Sequence, residues 1–238
     1  MPVTLPVWSP SQLPVLLRGE AAQIAPWLGD RRPARLALHL AVIAVGAGLF
    51  GAAAGAWRGA EQASYVAIKF PLVILLTSLG NALLNGMLAP LLGLNLGLRA
   101  SLRAVLFSFT IASVILGAGS PLIAFLVWNL PPLGAPGSGA AHSLLLLTLV
   151  ATIAFAGVVA NVRLLQLLQH LGGSVRVARR VLLAWLAGSL FLGSQISWIL
   201  RPFVGSPGLP VAFLREDAFS GSFFEAVFRA ARHLLSAH

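Results

Sequence analysis

Thr77, Asn81 and Asn85 recur every four residues in a long apolar stretch. On a helix that spacing puts them in one row along a single face. An amide placed in hydrocarbon needs a hydrogen-bond partner, because an unpaired one costs several kcal/mol by order of magnitude. Candidate partners are Ser108, Ser113, Ser189, Ser194 and Gln195. The row therefore has two chemistries open to it. It is glue between helices, or it is a polar path for a small solute, lipid or ion. Glue is the expectation, since a path would need similar rows on several helices and only this stretch carries one.

Other reactive groups are sparse. His39 lies one turn into the first apolar run and could present imidazole to haem or a chlorophyll-type pigment. The expectation is a hydrogen-bonded or interfacial histidine, with no cofactor. His142 and His170 stand too far apart to act together, and no HxxxH or HExxH spacing occurs, so no helical metal site is expected. The chain has no cysteine, which excludes thiol catalysis and thiolate metal sites. Its 6 carboxylates all fall outside the apolar runs. Without converging acids, bases or ligands no catalytic residue is proposed, and the protein is not expected to be an enzyme.

The elements that position these residues follow from composition. The chain of 238 residues is 58% hydrophobic and 9% charged, against about 25% charged residues in a soluble domain. A polytopic membrane protein, all-α, is the reading that fits. Five runs are long enough to cross the bilayer: Leu36–Trp57, Phe70–Ala89 with Pro71 at its start, Leu102–Leu130, Ser143–Leu168, and Val181–Arg201 closed by Pro202. Residues 1–34 form an N-terminal interfacial segment, 35–202 the five-helix domain, and 203–238 a loop followed by an amphipathic helix. The N-terminal segment does not read as a signal peptide: its start has no positive charge, and Pro2, Pro6, Pro10 and Pro14 interrupt it. Short helices are expected near Ser9–Leu17 and over Phe223–Leu235, the latter opened by the capping-box pattern Ser222-Phe223-Phe224-Glu225.

The charge is +10, from 16 Lys and Arg against 6 Asp and Glu. Basic residues sit at the ends of apolar runs, where they orient spans, and no nucleic-acid partner is expected. Ten of them, including Arg31, Arg32, Arg35, Arg99, Arg103, Arg176, Arg179 and Arg180, fall on the side of the N-terminus. That predicts an N-terminus inside and a C-terminus outside, in a bacterial cytoplasmic membrane.

Packing signals are strongest in the first run. The rows Ala47-x3-Gly51-x3-Gly55 and Ala44-x3-Gly48-x3-Ala52-x3-Ala56 make one smooth side. Such a side allows close backbone approach, which drives helix association in lipid. It serves contact within the chain or with a second subunit. In the third run Pro121 predicts a kink near Gly117. Trp198 and Arg201 close the last run and suit an interface anchor, with Arg201 snorkelling or meeting anionic headgroups.

Two stretches carry a family resemblance: Lys69-Phe70-Pro71-Leu72-Val73-Ile74-Leu75-Leu76-Thr77, and Gln195-Ile196-Ser197-Trp198-Ile199-Leu200-Arg201-Pro202-Phe203-Val204-Gly205-Ser206-Pro207, followed by Phe213, Arg215 and Phe224-Glu225-Ala226-Val227. Together they resemble a group of bacterial multi-span inner-membrane proteins that are distantly similar to the Yip family of five-span proteins. The resemblance implies a five-helix membrane domain and brings no activity, substrate or site residue. The functional expectation is a non-catalytic accessory or scaffold subunit of a larger membrane complex. The alternative is a small-solute, lipid or ion transporter or channel using the Thr77, Asn81 and Asn85 row.

Overall fold

The computed structural model describes residues 20–29, 32–172, 174–205 and 210–226, with Pro14, Val15, Arg18 and Phe228 besides. All regular structure among them is helical. α1 covers Ala21–Gly29, α2 Pro33–Gly55, α3 Ala60–Leu91, α4 Leu98–Asn129, α5 Ser138–Gly172 and α6 Val175–Ile199. Among the described residues, 5 helices, α2 to α6, are long and apolar enough to cross a membrane. The chain is a membrane protein by that measure.

Connections are short, so neighbouring spans run antiparallel. One end of the bundle carries α1, residues 92–97 and the α5–α6 turn; there Arg103 donates to the Leu28 carbonyl at 2.9 Å. The other end carries residues 56–59, 130–137 and 200–226, where the Trp57 indole donates to the Pro131 carbonyl at 3.1 Å. α2 packs on α3 and α4, while α3, α4, α5 and α6 contact one another in sequence around a ring.

Glycines set the α2 contacts. A Cβ on Gly51 would strike the Val66 carbonyl, and one on Gly55 would lie 2.7 Å from the Gln62 carbonyl oxygen. Gly48 faces the Ala67 carbonyl on the same helix, α3. On the α4 side Gly46 meets Ser113, and a Cβ on Gly117 would lie 2.9 Å from the Gly46 Cα. The predicted smooth side is thus used within the chain.

Several expected boundaries move. α3 begins at Ala60, so Pro71 lies inside the helix rather than at its first turn. Proline there frees the Ala67 carbonyl, and Gly48 of α2 packs beside that carbonyl. Pro121 likewise stands inside a continuous α4. The Gly117 carbonyl it leaves open is taken by the Ser120 hydroxyl at 2.7 Å. α6 ends at Ile199, so Arg201 lies past the helix in the following turn. α1 was not expected from the sequence; its Ile24 and Leu28 are buried against the bundle. The helix expected near Ser9–Leu17 falls almost wholly outside the described residues. At the other terminus the Glu225 N–H donates to Ser222 Oγ at 3.2 Å, as the capping pattern requires. Most of the helix expected after it lies outside the described residues.

Candidate functional site

The Thr77, Asn81 and Asn85 row faces α6. Asn81 Nδ2 donates to the Trp185 carbonyl at 3.2 Å and to Ser189 Oγ at 2.6 Å, while its Oδ1 accepts from Asn85 Nδ2 at 2.8 Å. Gly188 makes room for this amide: a Cβ there would sit 2.5 Å from Asn81 Oδ1. Asn81 is therefore glue between α3 and α6. Asn85 makes its bond within its own helix, and Thr77 Oγ1 finds no partner among the described residues.

Of the predicted partners only Ser189 joins the row. Ser113 sits against Gly46 on α2. Ser194 donates to the Phe191 carbonyl of its own helix at 3.0 Å. Gln195 Oε1 accepts from the Phe223 N–H at 3.3 Å, tying down the C-terminal segment. Ser108 opens onto a cavity instead.

That cavity is a concave feature of the bundle. It has a volume of about 1180 Å³ and is a partly open cleft lined mainly by α3, α4, α5 and α6. Its lining runs from His142, Phe203, Val204 and Gly205 at the C-terminal end to Leu164, Leu182 and Trp185 towards the other. The walls are mainly Leu, Val, Ile, Phe and Ala. Thr77, Asn81, Ser108, Asn161 and Ser189 interrupt them with neutral polar groups, and no charged side chain lines it. On α5, Ala154 and Gly157 line it, and a Cβ on Gly157 would meet nothing within 4 Å. Known ligand pockets of about 300–1,000 Å³ are apolar with a few polar groups, which is this pattern.

A strap roofs the C-terminal end. Residues 200–205 follow α6 and include a cis Arg201–Pro202 bond. Lys69 Nζ donates to the Pro202 carbonyl at 2.8 Å, and its ammonium lies 5.0 Å from the Phe213 ring centroid. Gln62 Nε2 reaches the Pro202 carbonyl at 3.2 Å and also the Phe203 carbonyl. Phe203 meets Phe70 edge-on at 5.4 Å. Lys69 is fully buried, and no carboxylate among the described residues pairs with it. Reading Lys69 as a flanking charge before the second span missed this. The signal was the seven-residue step from Gln62 to Lys69, which puts both on one helix face once α3 is known to start at Ala60.

The remaining candidates are structural. His39 is buried, with Nδ1 2.9 Å from Thr110 Oγ1. The Thr110 hydroxyl donates to the Leu106 carbonyl at 2.6 Å, so it accepts from a protonated Nδ1 of His39. Arg201 is held by neighbours within the chain. It pairs with Asp217 at 3.0 Å, donates to the Trp198 carbonyl at 2.8 Å and stacks over the Trp198 ring at 3.7 Å. Trp198 and Arg201 thus hold the C-terminal loop against the end of α6.

No family model, no curated protein and no solved structure matches this chain.

Proposed function

We propose that the protein is a membrane-embedded binding or carrier protein for a lipid-like molecule, housed in the α3–α6 ring and performing no covalent chemistry. The observation that carries this reading is the uncharged cavity of about 1180 Å³, entered by neutral polar groups at intermediate depth. Asn81 of the polar row joins two of the helices that surround it, α3 and α6. The test is to purify the protein in mild detergent, strip and re-add lipid, and measure bound lipid per protein by native mass spectrometry. A stoichiometric ligand that survives dilution supports the reading; only exchangeable annular lipid refutes it.

The setting we propose is the bacterial cytoplasmic membrane, N-terminus inside and C-terminus outside. Arg32, Arg35, Arg99, Arg103, Arg176, Arg179 and Arg180 gather at the end that carries α1, as the positive-inside rule favours. Reporter fusions at Ala34 and His238 should report opposite compartments. Kinship with the Yip-like five-span proteins rests on the two sequence stretches around Lys69–Thr77 and Gln195–Pro207 alone.

A second reading, an accessory subunit of a larger complex, is favoured by α6. It is the least buried span, and it exposes Leu183, Leu190 and Phe191. Partners that co-purify at fixed stoichiometry would support it.

A further inference from the structure

The exposed residues of the cleft are unevenly placed. Leu146, Val150, Ile153, Val158 and Val162 on α5 and Leu190 on α6 line it and are between 40% and 65% exposed. The lining residues of α3 and α4 are buried or half-buried. At its two ends the lining is buried as well, by Val204 of the strap at one and by Leu164 and Trp185 at the other. The cleft therefore opens sideways, between α5 and α6. From Leu146 to Val162 the rim follows α5 for about 24 Å, most of a hydrocarbon core of about 30 Å. A mouth onto water would expose lining residues near one end of the bundle only. An opening of this length, parallel to the spans, faces acyl chains.

We infer that bilayer lipid enters the cleft laterally, between α5 and α6, with an acyl chain as the part that goes in, and that it does so without passing beneath the strap. This rests on the reading of the cavity as a lipid site. The rim itself favours a flexible chain over the helix of a second subunit. Helices approach closely in lipid where Gly, Ala or Ser stands at the contact. Here Val150, Ile153, Val158, Val162 and Leu190 stand at the rim, and these branched side chains hold a second backbone away while a hydrocarbon chain passes between them.

The test reconstitutes the full chain in dioleoylphosphatidylglycerol vesicles doped with phosphatidylcholine that carries a diazirine in its acyl chain. After illumination, mass spectrometry locates the cross-linked residues. Labelling is expected on the far wall of the cleft, over Val105–Leu116 of α4 and Ile74–Asn81 of α3, besides the outer face of α5 at Leu147 and Phe155, which are exposed and do not line the cleft. Val158→Trp and Leu190→Trp narrow the rim from opposite sides. Each should lose labelling of the far wall and keep it at Leu147 and Phe155. Both positions are exposed, gel filtration shows which variants fold, and each reports independently. Far-wall labelling that persists in the folded rim variants overturns the lateral route and leaves the cavity reading intact. A far wall left unlabelled in the wild type also overturns the route, and it overturns the cavity reading too if native mass spectrometry finds no held lipid.

Discussion

The two sides of the bundle are built by opposite use of small residues. On the α2 side, Gly46, Gly51 and Gly55 bring backbones together until no Cβ fits. On the α5 side, a Cβ on Gly157 would meet open space. A small residue in a membrane helix is thus a contact where the opposing helix closes on it and a cavity wall where that helix stands away. The first arrangement resists enlargement of the side chain; the second absorbs it.

The sharpest way to break the comparison is to enlarge one glycine on each side. Gly51→Leu drives a side chain into the Val66 carbonyl and should cost more than about 4 kcal/mol, in the range that single changes rarely reach. Loss of monodisperse protein on gel filtration is the expected result. Gly157→Leu should stay within about 0.5 kcal/mol of wild type in thermal stability, while filling part of the cavity and lowering bound lipid. Equal damage from both would mean that the two sides are packed alike.

The roof gives the next largest effect. Gln62→Leu leaves the Phe203 carbonyl without its donor and should destabilise the protein by about 1–3 kcal/mol. Lys69→Met should cost less, because Gln62 still serves the Pro202 carbonyl and a buried charge with no carboxylate partner is removed. Denaturation followed by tryptophan fluorescence ranks the two, and the reverse order would assign the strap to Lys69.

Within the polar row the effects are smaller. Asn81→Ala removes two bonds to α6 and should cost about 1–2 kcal/mol; Asn85→Ala removes one bond within α3 and should cost about 0.6 kcal/mol. A disulfide-trapping assay between engineered cysteines on α3 and α6 should show looser association for the first alone. The smallest change is Ser120→Ala, which reopens the Gly117 carbonyl beside Pro121 and should lower stability by about 0.5–1 kcal/mol in the same denaturation assay.

The span count and the shared face of Thr77, Asn81 and Asn85 were legible because length, hydropathy and a four-residue step are local properties. The start of α3 was not. Glu61, Gln62 and Lys69 interrupt the apolar run, and the helix passes through them because Gln62 and Lys69 are covered by a strap well over a hundred residues further along the chain. α1 was missed for a similar reason: Pro26 weakens its local signal, and the burial of Ile24 and Leu28 comes from the bundle.

By itself the sequence determined an all-helical membrane protein with five spans, a glycine-rich first span and one polar face on the second. Only the tertiary structure decided which helix each face meets, and so whether a small residue makes a contact or a void. Side-chain volume is written residue by residue, but the room around it is set by helices distant in the chain. Close approach of α2 to α3 and α4 is satisfied by glycine on one side. The helices α3, α4, α5 and α6 are tied by Asn81 and the strap, and the spacing between them leaves a cavity that Gly157 borders.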